Sequence, residues 1–210
     1  MESNAKPAPT ATPANVTRGH GLVEGWLSKK RAQRANQLIP EHLRNGRILD
    51  IGCGSHPYFL THTAFREKYS LDQVEMPAET ATRYAITHRT HDLDRDPRLP
   101  FDDETFSAIT LLAVIEHVES AVAVRVLGEA YRALVPGGRL VITTPAAWTD
   151  GLLRLLARFR VVSPEEIHEH AFAYTLPTLG GCLGQAGFEP RKFHCGHFEL
   201  GMNLWAAGEK

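Results

Sequence analysis

The segment around Asp50 has residue types and spacing suited to ligand chemistry. A short apolar run ends at Asp50, and Gly52 and Gly54 follow it with one residue between them. Such a run is typical of a buried parallel strand. Glycine lets the backbone turn sharply and admits a ligand where a Cβ would otherwise stand. Because ligands of open α/β sheets bind at the carboxyl ends of the strands, the segment predicts a nucleotide-like cofactor at residues 50–56.

The spacing of the two glycines argues against two common nucleotide-binding loops. The dinucleotide-binding pattern needs a third glycine at the position of Pro57. A phosphate-binding P-loop needs Gly-Lys followed by Ser or Thr, which this loop lacks. The loop therefore disfavours a nucleotide-dependent oxidoreductase. Taken by itself, it could also be an ordinary strand-to-loop turn.

More acidic residues end later strand-like runs. Residues 68–72 form a second short run that ends at Asp72, which is 22 residues after Asp50. A carboxylate at the tip of a second strand can accept hydrogen bonds from both hydroxyls of a ribose. Asp92 and Leu93 follow a third short run. The order of these acids fits a nucleoside held along one edge of a sheet.

The second half of the chain alternates strand-like and helix-like segments. Residues 106–112 are apolar and predict a fourth strand. Residues 118–134 repeat apolar side chains at intervals of three and four, which is typical of an amphipathic helix. Pro-Gly-Gly at 136–138 would stop this helix, and 139–145 predict a fifth strand. This alternation implies a parallel sheet wound right-handed.

In this order the segments resemble the class I S-adenosylmethionine-dependent methyltransferases, and most closely a small bacterial group, called type 11, that modifies metabolites. The resemblance covers roughly residues 40–210. It rests on the Asp50–Gly54 loop, Asp72, Asp92-Leu93, Leu-Pro-Phe at 99–101, Ile-Glu-His at 115–117 and Pro-Gly-Gly at 136–138. One departure is His56, which stands where the family loop often has a third glycine.

The resemblance implies a Rossmann-like, doubly wound α/β fold with a seven-stranded sheet in the order 3-2-1-4-5-7-6 and one antiparallel strand. The last two strands are expected at Phe188–Phe198 and Asn203–Ala207. Residues 16–210 would form a single methyltransferase domain, with a cap helix in 16–40 and a lid insertion at 146–176. The cap helix would either cover the cofactor cleft or simply pack on the edge of the sheet.

By the same resemblance the cofactor is S-adenosylmethionine. The two glycines would let its methionine portion pass, and Asp50 would order its ammonium group. Asp72 would hold the ribose, Asp92 would take the adenine amino group, and the Leu93 amide would face the ring. The expected cofactor-binding residues are Asp50, Gly52, Cys53, Gly54, Asp72, Gln73, Asp92, Leu93, Leu112 and Ala113. Asp72→Ala is expected to weaken cofactor binding with little loss of folding.

Methyl transfer requires the protein to hold the acceptor atom in line and to exclude water. A hydroxyl acceptor also needs a base, and His117 is the candidate because histidine titrates near neutral pH. His117 could instead be a helix-start histidine bonded to the backbone. The candidate catalytic residues are His117, Glu116 and His170, and the candidate acceptor-binding residues are Trp148, His168 and Tyr174.

The segment around Glu166, His168 and His170 has two interpretations. Alternate residues of an extended segment share one face, so these three side chains could bind a divalent metal that orients an acceptor oxygen. They could also be polar lid residues that bond to substrate and backbone. We favour the second interpretation and expect no metal.

Composition limits the class of protein. The 210 residues carry a net charge of −1, which gives no long-range attraction to nucleic acid. The basic run at 29–34 is interpreted as a solvated helix face. The three cysteines cannot all pair and have no metal-ligand spacing, which fits a reduced, cytoplasmic compartment. Residues 1–15 predict a disordered tail, and no run is long enough to span a membrane.

The function predicted first is methyl transfer to a small-molecule acceptor, most favourably to a hydroxyl oxygen, with no nucleic-acid partner and no stable membrane association. Family members that methylate exocyclic amines usually show Asn/Asp-Pro-Pro-Tyr after strand four, where this chain has Leu-Ala-Val-Ile at 112–115. Transfer to carbon or nitrogen of a metabolite remains an alternative, as does a non-catalytic cofactor-binding module. The sequence does not indicate the oligomeric state.

Overall fold

The computed structural model describes residues 22–149 and 172–210. The strands are β1 (Arg47–Ile51), β2 (Glu67–Asp72), β3 (Ile86–Thr90), β4 (Phe106–Leu112), β5 (Leu134–Pro145), β6 (Phe193–Phe198) and β7 (Asn203–Glu209). The α-helices are α1 (Leu22–Leu38), α2 (Tyr58–Thr61), α3 (Ala78–Tyr84), α4 (Ser120–Ala133) and α5 (Leu176–Gln185), with 3₁₀ turns at Glu41–Asn45 and Ile115–His117.

The seven strands form one sheet in the order β3-β2-β1-β4-β5-β7-β6. Strands β1 to β5 pair in parallel, and β7 is antiparallel to both β5 and β6. The predicted strand order and the single antiparallel strand are therefore confirmed. All seven residues of β4, the central strand, are buried, because helices cover both faces of the sheet.

Each face of the sheet has its own apolar core. Helices α4 and α5 contribute Val126, Leu127, Leu179 and Leu183 to the core on one face, where Leu49, Ile109 and Ile142 lie. Helix α1 packs on the opposite face, where Ala32 and Ala35 lie in the same cluster as Ile48, Leu112, Val141 and Ala207. We call this second side the α1 face. Helix α1 thus packs on a face of the sheet.

Two predicted boundaries are wrong. Helix α4 ends at Ala133, and β5 begins directly at Leu134 instead of at 139. The register between β4 and β5 shifts between the Phe106 and Ala108 pairs, and this irregularity accommodates the Pro-Gly-Gly segment within the strand. Strand β6 begins at Phe193, five residues later than expected. Phe188 instead lies in the core, with its ring 4.9 Å from that of Tyr131.

Some predictions fall outside the described residues. They are the tail at 1–15, the part of the cap helix before residue 22, the lid from 150 to 171, and the side chains of Glu166, His168 and His170. Within residues 22–149 and 172–210, no helix is both long and apolar enough to cross a membrane. The same residues contain no group of three or more His, Cys, Asp or Glu side chains that could hold a metal ion.

Candidate active site

The loop after β1 turns sharply because of its two glycines. Gly52 has φ +72°, and a Cβ at this position would lie 2.3 Å from Cγ2 of Val114. Gly54 has φ +66°, and a Cβ there would meet nothing within 4 Å. Left-handed backbone of this kind favours glycine. The loop therefore packs closely against the segment after β4 at Gly52 and leaves open space at Gly54, where a ligand would fit.

Asp50 lies at this loop with its carboxylate inside the protein. Its side chain is only 4% exposed, and its Oδ1 accepts a hydrogen bond of 2.6 Å from the hydroxyl of Thr110. A buried carboxylate is costly unless it is hydrogen-bonded. Thr110 supplies such a bond from the neighbouring strand.

Asp72 ends β2 beside the same loop and joins two loops together. Its Oδ2 accepts a hydrogen bond of 2.7 Å from the backbone N–H of Gly54, and its Oδ1 accepts one of 3.0 Å from the N–H of Val74. The side chain is half-buried, and Gln73 after it is exposed. The structure thus brings Asp50, Gly54 and Asp72 together, as the sequence predicted.

The next loop along the sheet carries Asp92 and Leu93. The N–H of His91 donates to the backbone carbonyl of Asp72 over 2.8 Å, so this loop lies beside the end of β2. Oδ1 of Asp92 accepts hydrogen bonds from the backbone of Asp94 and Arg95, and its Oδ2 lies 3.2 Å from Nε of Arg95. Asp92 is therefore already held by its own loop, and Leu93 packs against the core.

The segment after β4 points neighbouring side chains into different environments. Leu112 and Ala113 are buried, and Ala113 has φ +58°, which is uncommon for a residue with a Cβ. Its N–H donates to the carbonyl of Thr143 over 2.8 Å. The 3₁₀ turn then buries Glu116, which is 3% exposed, and leaves His117 exposed. Glu116 and His117, the two catalytic candidates within the described residues, therefore do not share a solvent-facing surface.

Glu116 is fixed by one side-chain and one backbone hydrogen bond. Its Oε2 accepts a hydrogen bond of 3.0 Å from the hydroxyl of Thr144 on β5. Its backbone carbonyl accepts a bond of 3.2 Å from the N–H of Phe172. These contacts connect the turn after β4 to the segment that follows β5. Such an arrangement suits a residue that shapes the turn carrying His117.

The two described candidates for acceptor binding differ sharply in exposure. Tyr174 is fully buried, and its hydroxyl has no hydrogen-bond partner among the described residues. Burial raises the pKa of Tyr174 above its usual range, with smaller contributions from nearby Cys182 and Glu116. Trp148 is 56% exposed, and its indole N–H donates to the carbonyl of Gly201 over 3.0 Å. Trp148 therefore offers a fixed, accessible ring, whereas Tyr174 is a core residue.

The basic run on α1 is partly used in packing. The guanidinium of Arg34 lies 5.7 Å from the ring centroids of both Phe198 and Trp205. Arg31 interacts electrostatically with Glu199, whose pKa is nevertheless raised because burial outweighs that attraction. Arg34 therefore packs on the β6–β7 hairpin, and Arg31 is attracted to Glu199 in the turn of that hairpin. The basic run is therefore less available to bind a partner than its sequence suggests, because part of it contacts the hairpin.

Sequence analysis missed two threonines that support the acids of this site, Thr110 and Thr144. Thr110 lies directly opposite Asp50 in the pairing of β1 with β4. Once the strand order is known, the alternation of side chains places both residues on the same face. The alternation of side chains between the two faces of β4 could therefore have identified Thr110. No sequence signal links Thr144 to Glu116, because their contact depends on the 3₁₀ turn.

Comparison with known proteins agrees with this arrangement. Residues 24–192 match a family model described as "Methyltransferase domain". A Bos taurus protein named "Probable tRNA methyltransferase 9B" is 27% identical over 179 residues, which cover 83% of this chain and 36% of that protein. The chain thus spans about a third of the length of this curated relative.

Two solved structures are similar in fold. One is a Thermotoga maritima S-adenosylmethionine-dependent methyltransferase, named a "possible histamine N-methyltransferase", with a TM-score of 0.67 and 22% identity over 90% of this chain and 91% of the other. The other is an S-adenosylmethionine-dependent methyltransferase from Mesorhizobium loti, with a TM-score of 0.64 and 20% identity over 88% and 100% of the two chains.

The acid of β1, the glycine loop and the acid at the end of β2 fit the cofactor of these enzymes, because Gly54 leaves open space and its backbone N–H is bonded to the carboxylate of Asp72. The family match and the strand order lead to the same conclusion. The chain belongs to the methyltransferase-domain family and has the class I fold of the S-adenosylmethionine-dependent methyltransferases.

Proposed function

We propose that the protein transfers a methyl group from S-adenosylmethionine to the hydroxyl oxygen of a small-molecule acceptor, with His117 as general base. The observation that carries the proposal is the position of His117. Its side chain is exposed directly after β4, at the sheet edge that also holds Asp50, Gly54 and Asp72. Its neighbour Glu116 is buried and bonded to Thr144.

The cofactor would lie across the loops that follow β1, β2 and β3. Asp50 would orient its ammonium group, and Asp72 would accept hydrogen bonds from its ribose hydroxyls. Asp92 and the amide of Leu93 would meet the adenine, and Leu112 and Ala113 would line the site beside Cys53 and Gln73. When bound, this cofactor supplies a methyl group that is already activated by a positively charged sulfur.

The remaining work falls to the chain's own residues. The exposed ring of Trp148 would form a flat wall for the acceptor, because the bond to Gly201 fixes the indole. His117 would accept the proton of the acceptor hydroxyl, which makes that oxygen a better nucleophile. Glu116 would act on His117 only through the shape of the turn. His168 and His170 remain candidate acceptor and catalytic residues from the segment outside the described chain.

Transfer to a nucleoside of tRNA is a second candidate, and the name of the Bos taurus relative is the observation that favours it. The contact of Arg34 with the rings of Phe198 and Trp205, and the charge interaction of Arg31 with Glu199, weigh against a broad nucleic-acid surface on α1. Transfer to carbon or nitrogen of a metabolite, and cofactor binding without catalysis, remain further alternatives.

The test follows a radioactive methyl group from the cofactor into a panel of hydroxylated metabolites and into total tRNA. With a metabolite acceptor, His117→Ala should lower turnover by about 100-fold or more, the usual contribution of a general base. The affinity for S-adenosylhomocysteine should stay within about twofold in a variant that keeps the cofactor contacts. His194→Ala, which alters an exposed histidine near the amino end of β6, is the matched control.

Each outcome has a clear meaning. Undiminished turnover in His117→Ala would remove His117 from the mechanism. Label that appears in tRNA and in no metabolite would replace the small-molecule acceptor with a nucleic acid. Cofactor binding without label in any acceptor would favour the non-catalytic module.

A further inference from the structure

A hydroxyl on β4 holds the carboxylate at the end of β1. Asp50 and Thr110 are directly opposite each other in the parallel pair of these strands, and both side chains lie on the α1 face. Oγ1 of Thr110 is 2.6 Å from Oδ1 of Asp50 and 3.4 Å from the carbonyl of Leu49. A hydroxyl has one proton to donate, and the shorter distance assigns that proton to the carboxylate.

The bond lies where the carboxylate has little access to water. Asp50 is 4% exposed and Thr110 is fully buried. Charge-assisted hydrogen bonds in such surroundings are short and fix direction as well as distance. The rotation of the Asp50 side chain is therefore set from the neighbouring strand, two residues before the loop begins at Gly52.

We propose that Thr110 is a positioning residue, which holds the carboxylate of Asp50 in the orientation that receives the ammonium group of the cofactor. This inference rests on the role given to Asp50 in the proposed function. Thr110 does not touch the cofactor, because it is fully buried and lies behind Asp50. Its effect on binding passes through the acid.

The chain offers a matched control on the next strand. Thr143 on β5 is also fully buried and also lies on the α1 face. Val141, two residues before it, belongs to the core of that face, and Trp205, opposite it on β7, packs against that core. Its hydroxyl has no hydrogen-bond partner among the described residues. Replacement of threonine by valine preserves shape at both positions. It removes a bond to an acid only at Thr110.

The experiment measures the affinity for S-adenosylhomocysteine by calorimetry, and thermal unfolding of each variant. Thr110→Val should weaken binding by about tenfold, the loss expected when one hydrogen bond to a charged group is removed. Thr110→Ser keeps the hydroxyl and should bind within about threefold of the parent protein. Thr143→Val should leave the affinity unchanged.

A double-mutant cycle separates positioning from general loss of structure. With Asp50→Ala as background, Thr110→Val should weaken binding little further, because its partner is already gone. If Thr110→Val does not fold, Thr110→Cys replaces it, since a thiol is a weak donor.

Parent-like affinity in Thr110→Val, or in Thr110→Cys where the valine variant does not fold, would overturn the proposal, as would an equal loss in the Asp50→Ala background. Parent-like affinity in Asp50→Ala itself would overturn both this proposal and the role of Asp50 in the proposed function. If Thr110→Val binds normally and Asp50→Ala does not, the proposed function stands and this inference fails.

Discussion

Replacement of Asp72 should weaken cofactor binding and also destabilise the fold, because its carboxylate has two roles. One role is the expected pair of hydrogen bonds to the ribose. The other is visible in the structure, where the same two oxygens accept backbone N–H groups from Gly54 and Val74 over 2.7 and 3.0 Å. The expectation of little loss of folding, which came from the sequence, ignored this second role.

The two effects have separate magnitudes. Hydrogen bonds to a charged group contribute roughly 1.5–3 kcal/mol each, so loss of two ribose bonds should cost about 3 kcal/mol or more, which is about 100-fold or more in affinity. The loops are half-exposed, so water can replace the lost acceptor for Gly54 and Val74. The free energy of unfolding should therefore fall by only about 1–2 kcal/mol in Asp72→Ala.

Asp72→Asn separates the two roles. The amide keeps one acceptor oxygen for the loops but loses the charge and one acceptor for the ribose, so affinity should fall almost as far as in the alanine variant while stability falls less. Calorimetry with S-adenosylhomocysteine and urea unfolding measure the two quantities. Asp94→Asn, an exposed acid of the neighbouring loop, controls for net charge. Parent-like affinity in both Asp72 variants would refute the ribose assignment.

Three further predictions concern stability and are measured by urea unfolding. Gly52→Ala should lower the free energy of unfolding by about 2–3 kcal/mol, since its Cβ would lie 2.3 Å from a neighbouring side chain. Gly54→Ala should lower it by only about 1 kcal/mol, because that variant adds backbone strain alone. Equal losses of stability in the two variants would contradict the packing at Gly52. Glu129→Gln should lower stability by about 1 kcal/mol at neutral pH, because the bond from Arg132 lowers the pKa of Glu129 in the folded state. This stabilisation is present above the ordinary pKa of 4.5 and is lost as the pH falls through the lowered folded value, so a difference that persists in acid would refute it. Tyr174→Phe removes a buried hydroxyl without a described partner and should leave stability unchanged or raise it by about 1 kcal/mol; a clear loss would mean that the hydroxyl is bonded.

The resemblance to the methyltransferase family predicted the sheet order, and the alternation of strand-like and helix-like segments predicted its parallel part. The acids that end strand-like runs predicted which ends of the strands would hold the candidate site. The sequence could not predict that Glu116 and His117 face different surroundings. That difference depends on a 3₁₀ turn whose position is set by contacts to β5. Nor could the sequence predict that Tyr174 is buried whereas Trp148 is exposed. Tyr174 forms an isolated bridge with Ala146 and is carried into the core, a long-range pairing that local sequence does not encode.

The left-handed backbone of Ala113 limits how this enzyme can diversify during evolution. With φ +58° and an N–H bonded to Thr143, this position can accept glycine or asparagine, but a β-branched residue there would strain the turn. Change in the proposed acceptor site would therefore have to occur at neighbouring positions. Trp148 is 56% exposed and can vary with little effect on packing, whereas the proposed role of His117 as general base requires histidine. We expect related sequences to vary at position 148 while position 113 stays alanine, glycine or asparagine.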